Sequence, residues 1–209
     1  MAAHRDLLAA GFLGTVTLVA STLAAGPALS HGEPDNRFST CDLVLVGNGS
    51  GAPIGGAPAG FDVNVRSVNN APMPGAMVTL DFSATTIRLG SVQAPGTTID
   101  CAARTLSRLT NAAGTVNFAA RLGGFDNANA VLVIIPDGGP PLQVKARSMD
   151  IDGLDGRTGL SDLSLFSANF LNNPAAQETD FDLNGTTGLG DHLLFAAEFL
   201  DPVAMSYCP

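Results

Sequence analysis

The feature that most constrains this chain is a duplication near its C-terminus. Asp150-Ile-Asp-Gly-Leu-Asp-Gly-Arg-Thr-Gly-Leu-Ser-Asp162 leads into Leu163-Ser-Leu-Phe-Ser-Ala-Asn-Phe-Leu171. Asp180-Phe-Asp-Leu-Asn-Gly-Thr-Thr-Gly-Leu-Gly-Asp191 leads into His192-Leu-Leu-Phe-Ala-Ala-Glu-Phe-Leu200. Both copies carry Gly-Leu, a small residue and Asp, then a Phe followed four residues later by Phe-Leu. Such self-similarity means that one supersecondary unit is used twice and that the copies share a core. Each copy reads as a turn-rich acidic loop feeding a helix with one apolar face.

The second copy has the spacing of a calcium loop. Asp180, Asp182 and Asn184 alternate, Gly185 follows, and Asp191 closes a 12-residue span. Calcium takes roughly six to eight oxygens, and alternate side chains wrap round one point only if the chain turns sharply, as a glycine allows. Thr186, after that glycine, is expected to offer its backbone carbonyl. Asp191 sits in the first turn of the following helix, where a carboxylate also suits the helix dipole. Gly188 has no side chain to offer, so water is expected in its place.

The first copy is irregular. Counting back from Asp162 without a gap puts Ile151 and Gly153 where oxygen ligands are required. One extra residue near Gly153 instead places Asp150, Asp152 and Asp155 correctly, with Asp162 closing the loop. A distorted, weaker site is therefore expected. Helix capping and turn formation would explain Asp162 alone. They do not explain alternating acids, a glycine and a closing acid together, twice.

The helices carry Leu163, Phe166 and Phe170, matched by His192, Phe195 and Phe199, each set on one face. These faces are expected to pack together. A module of this size buries little apolar surface, so bound ions would contribute to its stability. The segment resembles a type I dockerin, a paired F-hand module, over residues 148–202. That resemblance implies Ca2+ as the bound ion and a cohesin-like or other extracellular protein as partner. It also implies contact through Leu160, Ser161, Leu189 and Gly190, where the family more often carries hydroxyl-rich pairs.

Charge supports the acidic reading. The chain carries −9 overall, and the segment from Ser148 onward holds ten acids against Arg157 alone, so all of that charge lies there. No basic patch compensates, which excludes a general nucleic-acid binder.

Residues 40–147 read differently. Asp42–Val46, Phe61–Ser67, Met77–Ser83, Thr115–Ala119, Ala130–Ile135 and Leu142–Ala146 are short alternating or apolar runs separated by turn residues. Such spacing predicts a β-sandwich. Asn69-Asn70, Pro74-Gly75 and the strand Ala76-Met-Val-Thr-Leu80 resemble bacterial immunoglobulin-like and carboxypeptidase-regulatory-like domains. Leu109-Thr-Asn-Ala-Ala-Gly-Thr-Val-Asn-Phe118 resembles their later hairpin. The resemblance implies a structural or spacer role. The expected fold is mainly β, an immunoglobulin-like β-sandwich followed by a small α-helical dockerin-like calcium module. A lead-in at 31–39 precedes the sandwich, and a tail at 203–209 ends the chain.

Residues 1–30 read as an export signal. Arg5 precedes an uncharged apolar stretch from Leu7 to Ser30, and Ala28-Leu-Ser30 suits cleavage. The stretch is also long enough for a membrane anchor, but its glycines, Pro27 and hydroxyl residues favour cleavage. A secreted or cell-surface protein of a bacterium, free of the membrane after cleavage, is expected. Export permits a disulfide. Cys41, Cys101 and Cys208 allow one bridge. Cys41–Cys101 is favoured because both lie in one predicted domain; the alternative is Cys208 closing the tail onto the body.

No nucleophile motif, zinc-protease motif or phosphate loop occurs. His4, His31 and His192 lack catalytic partners in the sequence. The expectation is a non-enzymatic attachment or assembly protein. The alternative is an accessory or ligand-binding protein with a site in the sandwich loops, where Arg66, Arg88, Arg104, Arg108 and Arg121 would converge.

Overall fold

Period-two alternation of apolar residues sets the architecture of the described residues that precede the duplicated segment. The computed structural model describes residues 33–42, 44–47, 60–199 and 205–209. The expected export signal, its cleavage site and its rival reading as an anchor lie outside them. Among the described residues no helix is long and apolar enough to cross a membrane.

The first strands are β1 (Thr40–Cys41), β2 (Val44–Gly47), β3 (Phe61–Asn64), β4 (Met77–Asp81), β5 (Arg88–Leu89) and β6 (Thr98–Asp100). They are followed by β7 (Thr105–Leu109), β8 (Thr115–Phe118), β9 (Leu122–Gly123), β10 (Val131–Ile134) and β11 (Leu142–Ser148). One sheet has the order β1-β3-β8, a second β2-β11-β10-β4-β7-β6, and β5 pairs β9 separately. Every pairing is antiparallel except β2 with β11.

Register follows the hydrophobic pattern. Phe61 faces Phe118 and Val63 faces Val116 across β3 and β8, all four buried while Asp62 points out. In the larger sheet Val133 opposes Leu80, which also opposes Leu106. These inward sets belong to one buried cluster with Val78, Phe82, Val131 and Val144. Each such side chain contributes about 1.5–3 kcal/mol on burial. A one-residue slip would turn the whole set to solvent, so register is firmly specified. The fold is mainly β, and two sheets sharing one apolar core are consistent with a β-sandwich.

The expected strands are found with their ends within three residues of those read from the sequence. Reading the sequence alone missed β1, β5, β6, β7 and β9. Three of these are two-residue ladders, and β7 buries only Leu106 fully, so each lacks the alternation that announces a strand.

The favoured Cys41–Cys101 bridge is not formed. Cys101 pairs with Cys208, with Cα atoms 5.3 Å apart, and Cys41 is free. The physical reason is sheet membership. Cys41 lies on β1 of the smaller sheet, opposite Val63. Cys101 follows β6, the outer strand of the larger sheet. The tail meanwhile runs beside β5: the Cys208 amide donates to the Leu89 carbonyl at 2.8 Å, and Gly90 bridges Tyr207.

From β11 the chain runs straight into the duplicated segment. Helices α1 (Leu160–Asn172) and α2 (Leu189–Glu198) follow the two acidic loops. Met149, Ile151, Phe166, Phe181 and Phe195 form a second buried cluster, against which Phe125 from the β region packs. The Phe166 and Phe195 rings stack with centroids 4.9 Å apart. The His192 ring lies 5.9 Å from Phe166, on the outer side of this core. His31–Pro209 forms one compact unit.

Candidate metal centres in the duplicated loops

Each loop is organised around the carboxylate at its helix start. Asp162 and Asp191 are fully buried. Asp191 accepts backbone amides from Phe181 at 2.6 Å, Asp182 at 3.2 Å and Gly188 at 2.8 Å. Asp162 accepts the Asp152 amide at 3.1 Å and the Gly159 amide at 2.9 Å. The closing acid thus caps its helix and gathers the start of its own loop at once.

These matching bonds align the copies residue by residue. Asp150 corresponds to Asp180, Asp152 to Asp182, Gly156 to Gly185 and Gly159 to Gly188. The residue after the second acid is left-handed in both loops, at φ 63° for Gly153 and 55° for Leu183. Left-handed backbone is costly for leucine and free for glycine. Between Gly153 and Asp155 the first loop holds the extra residue, Leu154, which is exposed. The bend glycines Gly156 and Gly185 are also left-handed, at φ 73° and 92°.

The loops bring the sequence-selected acids together. One carboxylate oxygen from each of Asp150, Asp152, Asp155 and Asp162 lies within 4.8 Å of the others, and the same holds for Asp180, Asp182 and Asp191. Asn184 joins the second cluster: its Nδ2 donates to Asp182 Oδ2 at 2.9 Å, and its Oδ1 accepts the Thr186 amide at 2.9 Å. A Cβ built on Gly188 would lie 3.9 Å from Asp191 Oδ2 and 4.0 Å from the Thr186 carbonyl oxygen. A Cβ on Gly159 would lie 3.9 Å from Asp155 Oδ2 and 4.0 Å from Asp162 Oδ2. Both glycines therefore leave room beside the oxygen clusters.

Electrostatically these clusters are under tension. Burial raises the Asp150 carboxyl to about 7 against a lowering bond from Tyr207, with Asp162 and Asp152 pushing it further up. Burial, with Asp152 nearby, also raises Asp162; burial, with Asp191 and Asp182 nearby, raises Asp180. Crowded like charges favour either protons or a cation. The donors are hard oxygens only, the chemistry of a calcium or magnesium site rather than of zinc or copper. The residues present fit a calcium ion in each loop.

Cations from the β region lie close by. Arg147, fully buried, donates to the carbonyls of Gln177 at 2.6 Å, Asp126 at 3.1 Å and Ala146 at 2.9 Å. Arg88 donates to the Gly153 carbonyl at 2.7 Å, and the Gly124 amide to the Asp150 carbonyl at 2.7 Å. The sequence offered no sign of these bonds, because they depend on where β9 and β11 end.

Three of the arginines of the alternative reading, Arg88, Arg104 and Arg108, donate to backbone carbonyls. Arg104 donates to the carbonyls of Thr85 and Ile87, and Arg108 to that of Asn117. Arg88 and Arg104 border a common pocket, beside Cys101 and Pro209. Arg108 borders a separate one, with Met77 and Thr98. Comparison with known proteins finds no match to any family model, curated protein or solved structure.

Proposed function

We propose that this chain is an exported, non-enzymatic attachment or assembly protein whose C-terminal segment is a dockerin-like, paired calcium module carried on an immunoglobulin-like β-sandwich. The observation that carries the reading is the repeated cage. Two loops of different length converge their carboxylates through the same bonds to the closing acid. Calcium would be held by Asp180, Asp182, Asn184, Asp191 and the Thr186 carbonyl in one loop. In the other it would be held by Asp150, Asp152, Asp155 and Asp162. The ion neutralises crowded acids, so binding and ordering of the segment are coupled.

The helices are suited to meet a partner, cohesin-like or another extracellular protein. Leu160, Leu171, Leu189 and Leu193 are each about 70% exposed, with Leu160 and Leu189 at equivalent places in the two copies. A function in attachment uses such a surface and requires no catalytic group. Calorimetric titration of the intact chain with calcium, beside far-ultraviolet dichroism, tests the ion. Uptake of about two ions with a gain in helicity is expected, and no uptake at millimolar calcium refutes the reading. A pull-down from the native cell envelope, with and without calcium, tests attachment. N-terminal sequencing of the exported protein is expected to begin near His31.

A further inference from the structure

The C-terminal tail touches the first loop at two points. The Met205 amide donates to the Gly156 carbonyl at 2.9 Å. The Tyr207 hydroxyl donates to Asp150 Oδ2. Residues 205–209 of the tail are held at several points: the Ser91 amide donates to the Ser206 carbonyl at 2.6 Å, and Cys208 is bonded to Cys101. The Arg88 guanidinium lies 4.2 Å from the Tyr207 ring centroid, and Gly123 leaves room for the phenol, which any Cβ there would strike.

The second loop shows what Tyr207 replaces. Asp180 receives both its donors from its own loop, the Asn184 amide on Oδ1 and the Gly185 amide on Oδ2, each at 3.0 Å. In the first loop Leu154 is inserted between the corresponding residues. Asp150 Oδ1 receives the Gly153 amide at 3.0 Å, and Oδ2 receives the tyrosine hydroxyl in place of a bend-glycine amide. Gly156 is instead tied to Met205, with no space for a Cβ between them.

We propose that Tyr207, held by the Cys101–Cys208 bridge, is the positioning residue of the first calcium loop, supplying from the tail the hydrogen bond that the inserted Leu154 takes from Asp150. This rests on the calcium reading above. Hydrogen bonds behind a metal-binding carboxylate fix its orientation, and losing one costs about 10–100-fold in affinity. The first site therefore depends on the tail and its disulfide, and the second does not.

The chain has one Tyr and no Trp, so tyrosine-sensitised luminescence of bound terbium reports on Tyr207 alone. The experiment uses the intact chain, with terbium and then calcium as probes. In the parent protein, Asp162→Ala is expected to abolish the sensitised emission and Asp191→Ala to leave most of it. Tyr207→Phe keeps the ring and the bridge, so the fold is retained. It is expected to weaken the first calcium site about tenfold or more by calorimetry and to leave the second unchanged. The double variant Cys101→Ser, Cys208→Ser should do the same and lower the emission. Two calcium sites with unaltered affinities in Tyr207→Phe overturn the proposal while leaving the calcium reading intact. Emission that survives Asp162→Ala also overturns it. A parent chain that binds neither ion overturns the calcium reading, and the proposal with it.

Discussion

Asp191 is the side chain at which structural and ligand roles can be separated by measurement. It is fully buried and accepts three backbone amides, those of Phe181, Asp182 and Gly188. Asp191→Ala leaves three donors without their acceptor. At about 1 kcal/mol for each lost bond, the destabilisation is roughly 3 kcal/mol even in chelator. If the parent protein binds calcium, a ligand concentration a hundredfold above Kd adds about 2.7 kcal/mol of stability. The variant lacks the closing ligand and forfeits that increment for its loop. The gap between the two proteins should therefore widen from about 3 kcal/mol in chelator to about 5–6 kcal/mol in calcium. Asp191→Asn keeps one acceptor oxygen and should lose less in chelator, while still losing the ligand charge. Urea unfolding of the intact chain, followed by far-ultraviolet dichroism with and without calcium, measures both gaps. Equal gaps in the two conditions refute the ligand role. A chelator gap below about 1 kcal/mol refutes the hydrogen-bond reasoning.

Phe166→Ala removes the ring that stacks on both Phe195 and Phe181; a loss of about 3–5 kcal/mol is expected in thermal unfolding, with both helices loosened. Gly123→Ala places a Cβ against the Tyr207 phenol, so the tail should be displaced. Under a mild thiol reductant, labelling is then expected to find the Cys101–Cys208 bridge reduced sooner than in the parent. Asp126 offers a pH test away from the loops. Burial raises its carboxyl, but amides of Asn129, Thr86 and Ala128 and the Asn129 side chain outweigh this and hold it at about 2. A folded pKa below the unfolded value means stability present above about pH 4 and lost as pH falls towards 2. Asp126→Asn should therefore be less stable than the parent at neutral pH, with the difference shrinking in acid; a constant difference from pH 6 to about 2 would contradict this sign.

By itself the sequence determined the mainly β character of the described residues between 40 and 147 and the loop–helix form of both copies. It did so because these depend on local regularities. Alternation at Phe61, Val63 and Val65 selects the inward face of a strand whatever it packs on. The spacing of Asp180, Asp182, Asn184 and Asp191 brings their side chains round one point through bends that the loop itself makes. The irregular first loop was legible for the same reason, since an extra residue between Asp152 and Asp155 is visible in the count.

Tertiary structure decided what joins distant segments. Cys208 pairs with Cys101, and Cys41 is left out, because the tail follows β5 whereas β1 belongs to the other sheet. The donor that completes Asp150 comes from Tyr207, a residue that sequence reasoning left in an unassigned tail. Arg147 and Arg88, placed in the β region by the sequence, reach carbonyls around the acidic loops because β11 and β5 end beside them. Hydrogen bonds of this kind need atoms about 3 Å apart with a fixed angle. A one-dimensional pattern carries periodicity and spacing. It does not carry which strand end meets which loop, and that meeting supplied the first loop with its missing bond.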